Sequence, residues 1–498
     1  MSKILVFGAG KSATVLIEYL LSKAELNHRL ITVADSNEAL ILKKLNGHPA
    51  GIPAVLDILD EKRRLELVVD ADIVISLMPP SLHILIAKDC LAAGKNLLTA
   101  SYADAAIQSL ATEAEQKGLL FLCEMGLDPG IDHMSALELI HRIIKNGGVI
   151  RDFRSHCGGL VAPESDDNPW HYKVSWNPKN VVTAGKQGAE YLADGKKVHE
   201  SYEMLFDPLR TISIDYAGVK TLSYYPNRNS LPYIELYGLD TASSFIRTTL
   251  RYPEFMHGWK HLVDLQLTDE EHVYETSGKS LHEFFREHLK RLGREEWLQN
   301  NLIDRFRESQ FMLENLIAMM NDGEDKDLPE NIMIIDEKGE LMKVERDQLG
   351  MEAAANLSSK LHEANLIIRQ LLFLGLDDDQ TIISRPQSSA ADVLQWILEN
   401  KLALSPSDKD MVVMLHEIEY EIKGEQKHVR SLLLVKGEDA DHTAMAKTVG
   451  LPLGIAAELI LEGKLNQKGV CIPVDEKIYI PVLDALKKMG IEFQESEK

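Results

Sequence analysis

The sequence contains few cysteines, and their spacing excludes two kinds of site. Cys90, Cys123, Cys157 and Cys471 are widely separated, and no two of them form a Cys-x-x-Cys pair. A zinc cluster and a disulfide framework are therefore not predicted. We expect reduced thiols and a cytoplasmic protein.

Several enzyme motifs are also missing. His83, His133, His156 and His171 lack the spacing of a His-Glu-x-x-His site, so no metal centre is predicted. The sequence has no Gly-x-Ser-x-Gly motif and no Walker motif. It therefore gives no support to a hydrolase triad or an ATPase.

Basic charge and long apolar runs are scarce as well. Lys and Arg number 54 against 77 Asp and Glu, which gives a formal charge of −23. Such a field repels a phosphate backbone, so nucleic acid is not an expected partner, although local arginines can still bind a small anion. No uncharged apolar run approaches the ~18–20 residues of a membrane span, and the first residues do not resemble a signal peptide. We expect no membrane partner.

The first 125 of the 498 residues alternate apolar runs with helical patterns. The apolar runs are at residues 4–7, 31–34, 73–77, 97–99 and 119–122. Uninterrupted apolar strands separated by helices indicate a parallel sheet that is buried on both faces.

Later stretches have other patterns. Residues 126–252 contain strand-like segments among polar and Gly/Pro turns, which predicts a mixed or antiparallel sheet; the segments are at 211–216, 220–224 and 233–236. Residues 253–409 are mostly helical in pattern, with helices at 281–292, 302–320, 351–374 and 389–400 and a polar linker at 321–327. Residues 411–436 predict a hairpin, and helices are predicted at 443–463 and 480–490.

A glycine motif follows the first strand and opens a helical pattern, with the sequence Gly8-Ala9-Gly10-Lys11-Ser12-Ala13. Gly8 permits a tight turn, Gly10 lets the backbone approach a pyrophosphate, and Ala13 lets the helix lie close to the strand. The helix start then offers N–H groups to the anion. A plain turn is the alternative, but this context favours nucleotide binding.

Asp35 ends the second predicted strand. A carboxylate there can accept hydrogen bonds from both ribose hydroxyls and repels a 2′-phosphate. No arginine follows in Asp35-Ser36-Asn37-Glu38, so the sequence favours NAD over NADP. The alternative role for Asp35 is a helix N-cap.

Small polar residues follow three further strands, at 76–80, 99–102 and 123–133. The carboxyl ends of parallel strands meet at the ligand crevice, so we expect these residues at one edge; turn formation is the alternative. Asp128 precedes Pro129 and suits either a substrate ammonium or a turn cap. Lys173 is either a surface lysine or a proton-transfer group, and Arg228 and Arg251 each suit a carboxylate.

The chain resembles the glutamate-forming saccharopine dehydrogenases, also called saccharopine reductases. The resemblance covers nearly the whole chain and is carried by GAGKSA at 8–13, TASY at 99–102, GLDPGIDHM at 126–134, HCGGLVAPE at 156–164, YKVSWNP at 172–178, YPNRNS at 225–230 and TTLRY at 248–252. The pair GLDPGIDH and YKxSWxP is far more specific than the glycine motif.

This resemblance implies an α/β protein of three parts. The first is a variant Rossmann domain formed by residues 1–125 and 438–498. The second is a mixed α/β substrate and dimerisation domain, formed by residues 126–252 and 410–437. The third is an inserted all-helical domain at residues 253–409. A homodimer is the implied assembly.

The resemblance also implies a reaction. The secondary amine of saccharopine gives a hydride to the nicotinamide, and water hydrolyses the resulting imine to 2-aminoadipate 6-semialdehyde and L-glutamate, reversibly and in lysine metabolism. Substrate contacts carried over by position are Ser101, Tyr102, Asp128, Arg228, Thr249, Leu250 and Arg251. Cofactor contacts carried over are Gly8, Ala9, Gly10, Lys11, Ser12, Ala13, Asp35, Ser36, Ser76, Leu77, Thr99, Leu127 and Trp176.

Three points stay open in the sequence. Fungal members that use NADPH carry an arginine after the second strand, where this chain has Ala34-Asp35-Ser36, so NAD is favoured although NADP is possible. Lys173, Tyr102 and Asp128 are all candidates for the acid–base group. The rival functions are a related carboxyalkyl-polyamine synthase and a non-catalytic NAD-sensing regulator.

Overall fold

The computed structural model describes residues 2–206, 210–216, 218–296, 331–335, 341–345 and 365–497. The chain forms two compact units. The first contains Met1–Asp167, His171–Pro253 and Leu402–Lys498, and the second contains Asn168–Trp170 and Glu254–Lys401.

Strands and helices alternate through most of the described chain. In chain order the strands are β1 (Ser2–Phe7), β2 (Arg29–Asp35), β3 (Gly51–Val55), β4 (Ile73–Ser76), β5 (Asn96–Thr99), β6 (Leu120–Leu122), β7 (Val149–Val161), β8 (Ala189–Ala193), β9 (Lys196–Glu200), β10 (Thr211–Tyr216), β11 (Val219–Pro226), β12 (Ser244–Arg251), β13 (Val273–Glu275), β14 (Asn331–Ile335), β15 (Leu341–Glu345), β16 (Gln387–Ser389), β17 (Asp410–Ile422), β18 (Glu425–Lys436), β19 (Gly469–Cys471) and β20 (Gln494–Glu497). The α-helices span Thr14–Ala24, Glu38–Leu45, Glu61–Asp70, His83–Ala93, Ala105–Gln108, Ala111–Gln116, Ile131–Lys145, Pro178–Val182, Tyr202–Leu205, Pro232–Leu236, Pro253–Asp264, Leu281–Arg291, Asn365–Leu374, Ala390–Lys401, Ala444–Leu461 and Glu476–Lys488.

Seven parallel strands form the first sheet, in the order β19-β6-β5-β4-β1-β2-β3. The predicted parallel sheet is confirmed, and β19 shows that the end of the chain returns to it. The strand order reverses between β1 and β4. In such sheets the ligand crevice lies at this switch point, outside the carboxyl ends of the strands.

The second sheet has nine strands and is mixed, as predicted. Its main path is β10-β11-β12-β7-β17-β18-β20, with β8 and β9 at the side. β12 is parallel to β7, whereas β17 and β18 form the predicted antiparallel hairpin. Lys423 and Gly424 join the hairpin with φ angles of 53° and 83°, the backbone of a tight primed turn. β20 is paired with β18 in this second sheet, which departs from the prediction that all of residues 438–498 belongs to the first domain.

One contiguous apolar core links the two sheets of the first unit. It includes Ile4 of β1 and Leu16 of the helix that follows, Phe153 and Met414 from the second sheet, and Leu139 from the helix between the sheets. Their burial holds the carboxyl edge of the first sheet against β7 and β12.

The helix Ala444–Leu461 is the one described helix that is long and apolar enough to cross a membrane by length and composition. In the fold, 72% of it is buried. Gly450 and Gly454 allow it to pack closely against Leu16 and Tyr19 of the helix Thr14–Ala24, because a Cβ at either glycine would lie within 3 Å of a neighbouring atom. These contacts are those of a core helix.

The second unit corrects one prediction. It contains the predicted helices Leu281–Arg291 and Ala390–Lys401, but it is not all-helical. β13 pairs with β16, and β14 pairs with β15. These strands are short, and the dominant helical pattern around them hides their alternation in the sequence. The predicted helix at 302–320 and linker at 321–327 lie outside the described residues, as does 351–364.

A second correction concerns the predicted strand at 233–236. These residues lie in the helix Pro232–Leu236. Pro232 occupies the first turn, where its fixed φ angle favours a helix and its missing N–H costs nothing. The apolar character of the segment was therefore a poor guide to its conformation.

Candidate active site

The glycine motif forms the turn that the sequence predicts. Gly8 has a φ angle of +101°, and a Cβ there would lie 3.1 Å from the carbonyl oxygen of Leu77. A Cβ on Gly10 would meet no atom within 4 Å, so open space lies in front of its backbone. A 3-10 turn, Lys11–Ala13, leads into the helix Thr14–Ala24. This loop fits a pyrophosphate in contact with backbone N–H groups.

Asp35 holds the turns around the motif together. Its Oδ2 accepts a hydrogen bond from the Ala9 N–H at 2.8 Å, and its Oδ1 accepts one from the Asn37 N–H at 2.9 Å. Asn37, rather than Asp35, caps the following helix by accepting from the Leu40 N–H. The N-cap alternative for Asp35 is therefore wrong, and the carboxylate stands beside the glycine motif.

The predicted strand ends lie side by side. Phe7 is in register with Ser76, and Ser76 is in register with Thr99. The Met125 N–H donates to the Thr99 carbonyl at 3.0 Å, which brings in the loop after β6. The glycine motif and the three polar strand ends thus share one edge of the sheet.

Tyr102 and Asp128 meet at this edge. The Tyr102 hydroxyl donates to Asp128 Oδ1 at 3.2 Å. Arg247 Nη2 donates to the same oxygen at 2.6 Å, and also to Asp132 Oδ2 at 2.7 Å. Arg247 is 2% exposed and lies over the ring of Tyr233 at 4.5 Å. The result is a cluster of two carboxylates, one guanidinium and two phenols, in which Arg247 and Asp132 are buried and the other members are partly buried.

The loop that carries Asp128 is fixed by close glycine contacts. Gly130 has a φ angle of +148°, and a Cβ there would lie 2.1 Å from the Gly126 carbonyl oxygen. The Gly130 N–H donates to Asp132 Oδ1 at 2.6 Å. This loop conformation places Asp128 and Asp132 on the same side, where both reach Arg247.

The two carboxylates have different pKa values. Burial raises the pKa of Asp128, with the Arg247 charge opposing the shift. Burial alone would also raise the pKa of Asp132, but His133 and Arg247 bring it below the usual value. Burial raises the pKa of the Tyr102 hydroxyl well above 10. Asp132 therefore holds its charge against Arg247, and Asp128 is the carboxylate that takes up a proton more readily.

Sequence reasoning missed Arg247, although a signal was present. Side chains alternate between the faces of a strand, so Arg247 shares a face of β12 with the predicted contacts Thr249 and Arg251. The predicted contact Leu250 lies on the opposite face, where it is fully buried in a separate apolar core. That core also contains Met411 and Val413 of β17. The side chain of Leu250 therefore faces away from the candidate site, and only its backbone lies on the strand that carries Arg247.

The two predicted arginines lie on aromatic rings. Arg228 has a left-handed backbone, with φ at 53°, and its guanidinium lies 5.1 Å from the centre of the Tyr102 ring. The guanidinium of Arg251 lies 5.5 Å from the ring of Tyr172, and its Nη1 donates to the Leu250 carbonyl at 2.8 Å. Arg228 thus joins the Tyr102 cluster directly.

The segment 172–176 contacts the glycine motif. Lys11 Nζ donates to the Val174 carbonyl at 3.1 Å, and Trp176 Nε1 donates to the Tyr172 hydroxyl at 3.1 Å. Of the other predicted cofactor contacts, Leu77 adjoins Gly8, whereas Ser76, Thr99 and Leu127 are buried. Ser12 belongs to the glycine motif itself, and Ser36 follows Asp35 in sequence.

Lys173 has two carboxylate partners of its own. Its Nζ donates to Asp167 at 2.8 Å and to Asp408 at 2.7 Å. Burial alone would lower the pKa of Lys173, but these two hydrogen bonds raise it. The ammonium is therefore held in its charged form, and the described hydrogen bonds do not join it to Tyr102 and Asp128.

His83 is a second residue that sequence reasoning did not assign to the site. It is buried, and its ring nitrogens contact the hydroxyl groups of Ser76, Thr99 and Ser101. Metal-ligand spacing could not reveal this histidine, because its partners come from separate places in the sequence. Among the described residues no group of three or more His, Cys, Asp or Glu side chains is placed to hold a metal ion.

Two family models match the chain. Residues 4–122 match the saccharopine dehydrogenase NADP binding domain, and residues 126–491 match the saccharopine dehydrogenase C-terminal domain. Together they cover most of both sheets and the whole candidate active site.

Curated relatives agree with these matches. A saccharopine dehydrogenase [NADP(+), L-glutamate-forming] of Schizosaccharomyces pombe is 31% identical over 499 residues, which cover 99% of each chain. An alpha-aminoadipic semialdehyde synthase of Arabidopsis thaliana is 31% identical over 521 residues, which cover 99% of this chain and 45% of the relative. The chain therefore spans about half the length of the plant relative.

A solved structure has the same fold. The apo form of histidine-tagged saccharopine dehydrogenase (L-Glu forming) from Saccharomyces cerevisiae matches 100% of both chains, with 28% identity and a TM-score of 0.77. Family models, full-length relatives and fold thus agree, and the chain belongs to the saccharopine dehydrogenase family.

Proposed function

We propose that this protein oxidises the secondary amine of saccharopine with a nicotinamide cofactor and gives 2-aminoadipate 6-semialdehyde and L-glutamate. The observation that carries the proposal is the partly buried cluster of Tyr102, Asp128 and Arg247 at the edge that also holds the glycine motif. The names of the full-length relatives support the same reaction.

The charges of the cluster suit this substrate. Saccharopine carries three carboxylates and two amino groups, so its site needs groups of both signs. Asp128 Oδ1 is occupied by Tyr102 and Arg247, whereas no donor among the described residues reaches Oδ2. The Asp128 side chain is 13% exposed, so Oδ2 is available to a substrate ammonium. Arg228 and Arg251 suit the carboxylates.

The same cluster can move a proton. Loss of a hydride from the amine requires one proton to leave, and the following hydrolysis requires an activated water. Asp128, with its raised pKa and its hydrogen bond to Tyr102, is the better acceptor, and we assign the acid–base role to this pair. Lys173 is held between two carboxylates, and we give it a structural role.

The residues at the carboxyl edge fit a nicotinamide dinucleotide. When bound, this cofactor accepts the hydride. The backbone of Gly8 to Ala13 would hold the pyrophosphate, and Asp35 would hold the ribose. Leu77 and Trp176 are partly exposed and would line the rest of the cofactor path, whereas Ser76, Thr99 and Leu127 are buried.

We propose NAD as the preferred cofactor. Asp35 ends β2, and no arginine follows it in Asp35-Ser36-Asn37-Glu38. The Asp35 carboxylate opposes a 2′-phosphate. The fungal relatives carry NADP(+) in their names, so this preference separates the chain from them.

The test is reduction of cofactor by the purified protein with saccharopine and either NAD or NADP. Turnover with NAD well above NADP supports both proposals, and turnover with NADP alone removes the preference but keeps the reaction. Cofactor binding without turnover of saccharopine overturns the reaction and favours either a carboxyalkyl-polyamine substrate or an NAD-sensing regulator.

A variant and its matched control test the acid–base role assigned to Asp128. Asp128→Asn keeps the shape of the side chain but removes its charge, and we expect turnover to fall about 100-fold. Asp104→Asn is the matched control, because it removes a nearby charge while the amide still caps the helix that begins at Ala105. Equal kinetics in the two variants would remove the role of Asp128.

We also propose that the chain forms a homodimer, as the family resemblance implies. The test is the mass in solution, which for a dimer is twice 55.9 kDa. A monomer that retains full turnover would contradict this proposal.

A further inference from the structure

A cavity of about 410 Å³ lies outside the candidate active site. It is lined by the helices Thr14–Ala24 and Glu38–Leu45, by the turn after the second of these helices, and by the loop before the helix Ala444–Leu461. Its lining includes no residue of the glycine motif and none of the cluster around Arg247. The function proposed above therefore does not use this cavity.

The two carboxylates that line the cavity already have cationic partners. Lys43 Nζ donates to both oxygens of Asp441, at 2.8 and 2.7 Å. Glu18 Oε1 lies 3.0 Å from Nε2 of His442, and Nδ1 of the same ring lies 3.1 Å from both oxygens of Asp439. These hydrogen bonds to Asp439 and Glu18 raise the pKa of His442, which favours the charged ring. The acidic groups of the cavity are thus paired from within the chain.

Lys44 is the cation of this cavity that has no carboxylate partner in the part of the chain that the structure describes. Its Nζ donates to the Thr14 hydroxyl, which leaves two N–H groups of the ammonium. Burial lowers the pKa of Lys44, although Asp441 and Glu18 act to raise it. The nearby carboxylates therefore do not compensate for the partial burial of this charge, and a bound anion would do so.

Two further donors line the cavity beside Lys44. The Ala50 N–H donates to His48 Nδ1 at 3.2 Å, so in the neutral ring the proton lies on Nε2. Neither this ring N–H nor the side-chain amide of Asn46 has an acceptor among the described residues. Asn46 ends the helix Glu38–Leu45 with a φ angle of 46°, and this turn brings His48 into the same lining as Lys44.

We propose that this cavity binds a small anion by its carboxylate or phosphate group, with Lys44 as the cationic contact and Asn46 and His48 as further donors. A hydrogen bond from an ammonium to such an anion is stronger than one between neutral groups. The volume of the cavity lies within the range of small-molecule sites, so an organic anion fits as well as a free phosphate. Since the lining is separate from the candidate active site, the anion should bind together with cofactor and substrate.

The test is equilibrium dialysis of the whole chain with radiolabelled inorganic phosphate. Saturating NADH and saccharopine are present, because they would otherwise leave the glycine motif and the active-site arginines open to phosphate. Both compounds are already reduced, so they cannot react with each other. We expect about one phosphate per chain, with a dissociation constant on the order of 1 mM.

Variants of the lining identify the site. We expect Lys44→Met to weaken phosphate binding about tenfold and His48→Phe to weaken it about threefold. Lys44→Arg keeps the cation, so its affinity should stay within about threefold of the wild-type value. Lys62→Met is the matched control, because it removes the same charge from an exposed position on the helix Glu61–Asp70. NADH binding by each variant shows that the chain is folded.

The same dialysis with labelled succinate shows whether the site prefers a carboxylate or a phosphate. The proposal is overturned if neither anion binds in the presence of NADH and saccharopine, or if Lys62→Met weakens binding as much as Lys44→Met. If the wild-type protein does not bind NADH or saccharopine, the proposed function fails. The comparison of Lys44→Met with Lys62→Met still tests the anion site in that case.

Discussion

Arg247 supplies the positive charge on which two buried carboxylates depend. Its Nη2 contacts both Asp128 and Asp132, and the guanidinium is 2% exposed. Arg247→Met leaves both carboxylates without this cation, and we expect the free energy of unfolding to fall by about 3–5 kcal/mol. Urea unfolding of the whole chain gives this value.

The cause of the stability loss in Arg247→Met is tested by adding Asp132→Asn to that variant. If unpaired buried charge destabilises Arg247→Met, removing one carboxylate should recover a large part of the lost stability. Additive losses in the double variant would show that packing of the arginine, rather than its charge, stabilises the cluster.

Asp35 gives a second prediction at the scale of one residue. Asp35→Ser removes the carboxylate that accepts from Ala9 and Asn37, so we expect the KM for NAD to rise about tenfold and the ratio of kcat/KM for NAD over NADP to fall. Asp70→Asn is the control, because Asp70 pairs with Lys3 at the opposite end of β1. An unchanged ratio in Asp35→Ser would contradict the assigned role.

At the scale of an element, the loop from Gly126 to Gly130 positions the charged cluster. In Gly130→Ala the new Cβ would lie 2.1 Å from a backbone oxygen at a φ angle of +148°, so the loop must shift. We expect turnover to be lost and stability to fall by about 2 kcal/mol or more. Gly147→Ala is the matched control, since its φ is +87° but nothing lies within 4 Å of the new Cβ. Turnover retained in Gly130→Ala would contradict the positioning role of the loop.

Elements with strong local patterns were predictable, and the family resemblance indicated Tyr102 and Asp128, but Arg247 and Asp132 of the charged cluster were not predicted. The turn at Lys423 and Gly424 identified the hairpin, because few residues adopt the positive φ angles that it requires. Pro232 turned an apolar segment into a helix instead of a strand. Strand alternation could place Arg247 on the face of β12 that carries Thr249 and Arg251, but its carboxylate partners Asp128 and Asp132 are 119 and 115 residues away in sequence. No local pattern could reveal those contacts.

At the scale of the whole molecule, the fold keeps neutral histidines away from water. His416 is fully buried between the rings of Phe153 and Phe493, and its Nε2 lies 2.7 Å from Ser135 Oγ. Burial lowers its pKa from 6.5 to about 4, as it does for His83. Each of these histidines must lose its proton for the chain to fold at mildly acidic pH.

The sign of the resulting pH dependence of stability follows from the number of protons that the unfolded and folded chains bind. Between pH 6.5 and about 4 the unfolded chain binds a proton at His416 that the folded chain does not, so stability is fully present above pH 6.5 and falls as the pH is lowered. The loss reaches about 3 kcal/mol for this residue. His416→Phe fits between the two phenyl rings and cannot titrate, so we expect its stability to fall less steeply between pH 6.5 and 4. Urea unfolding at several pH values measures the difference, and parallel curves for the two proteins would show that His416 titrates normally in the fold.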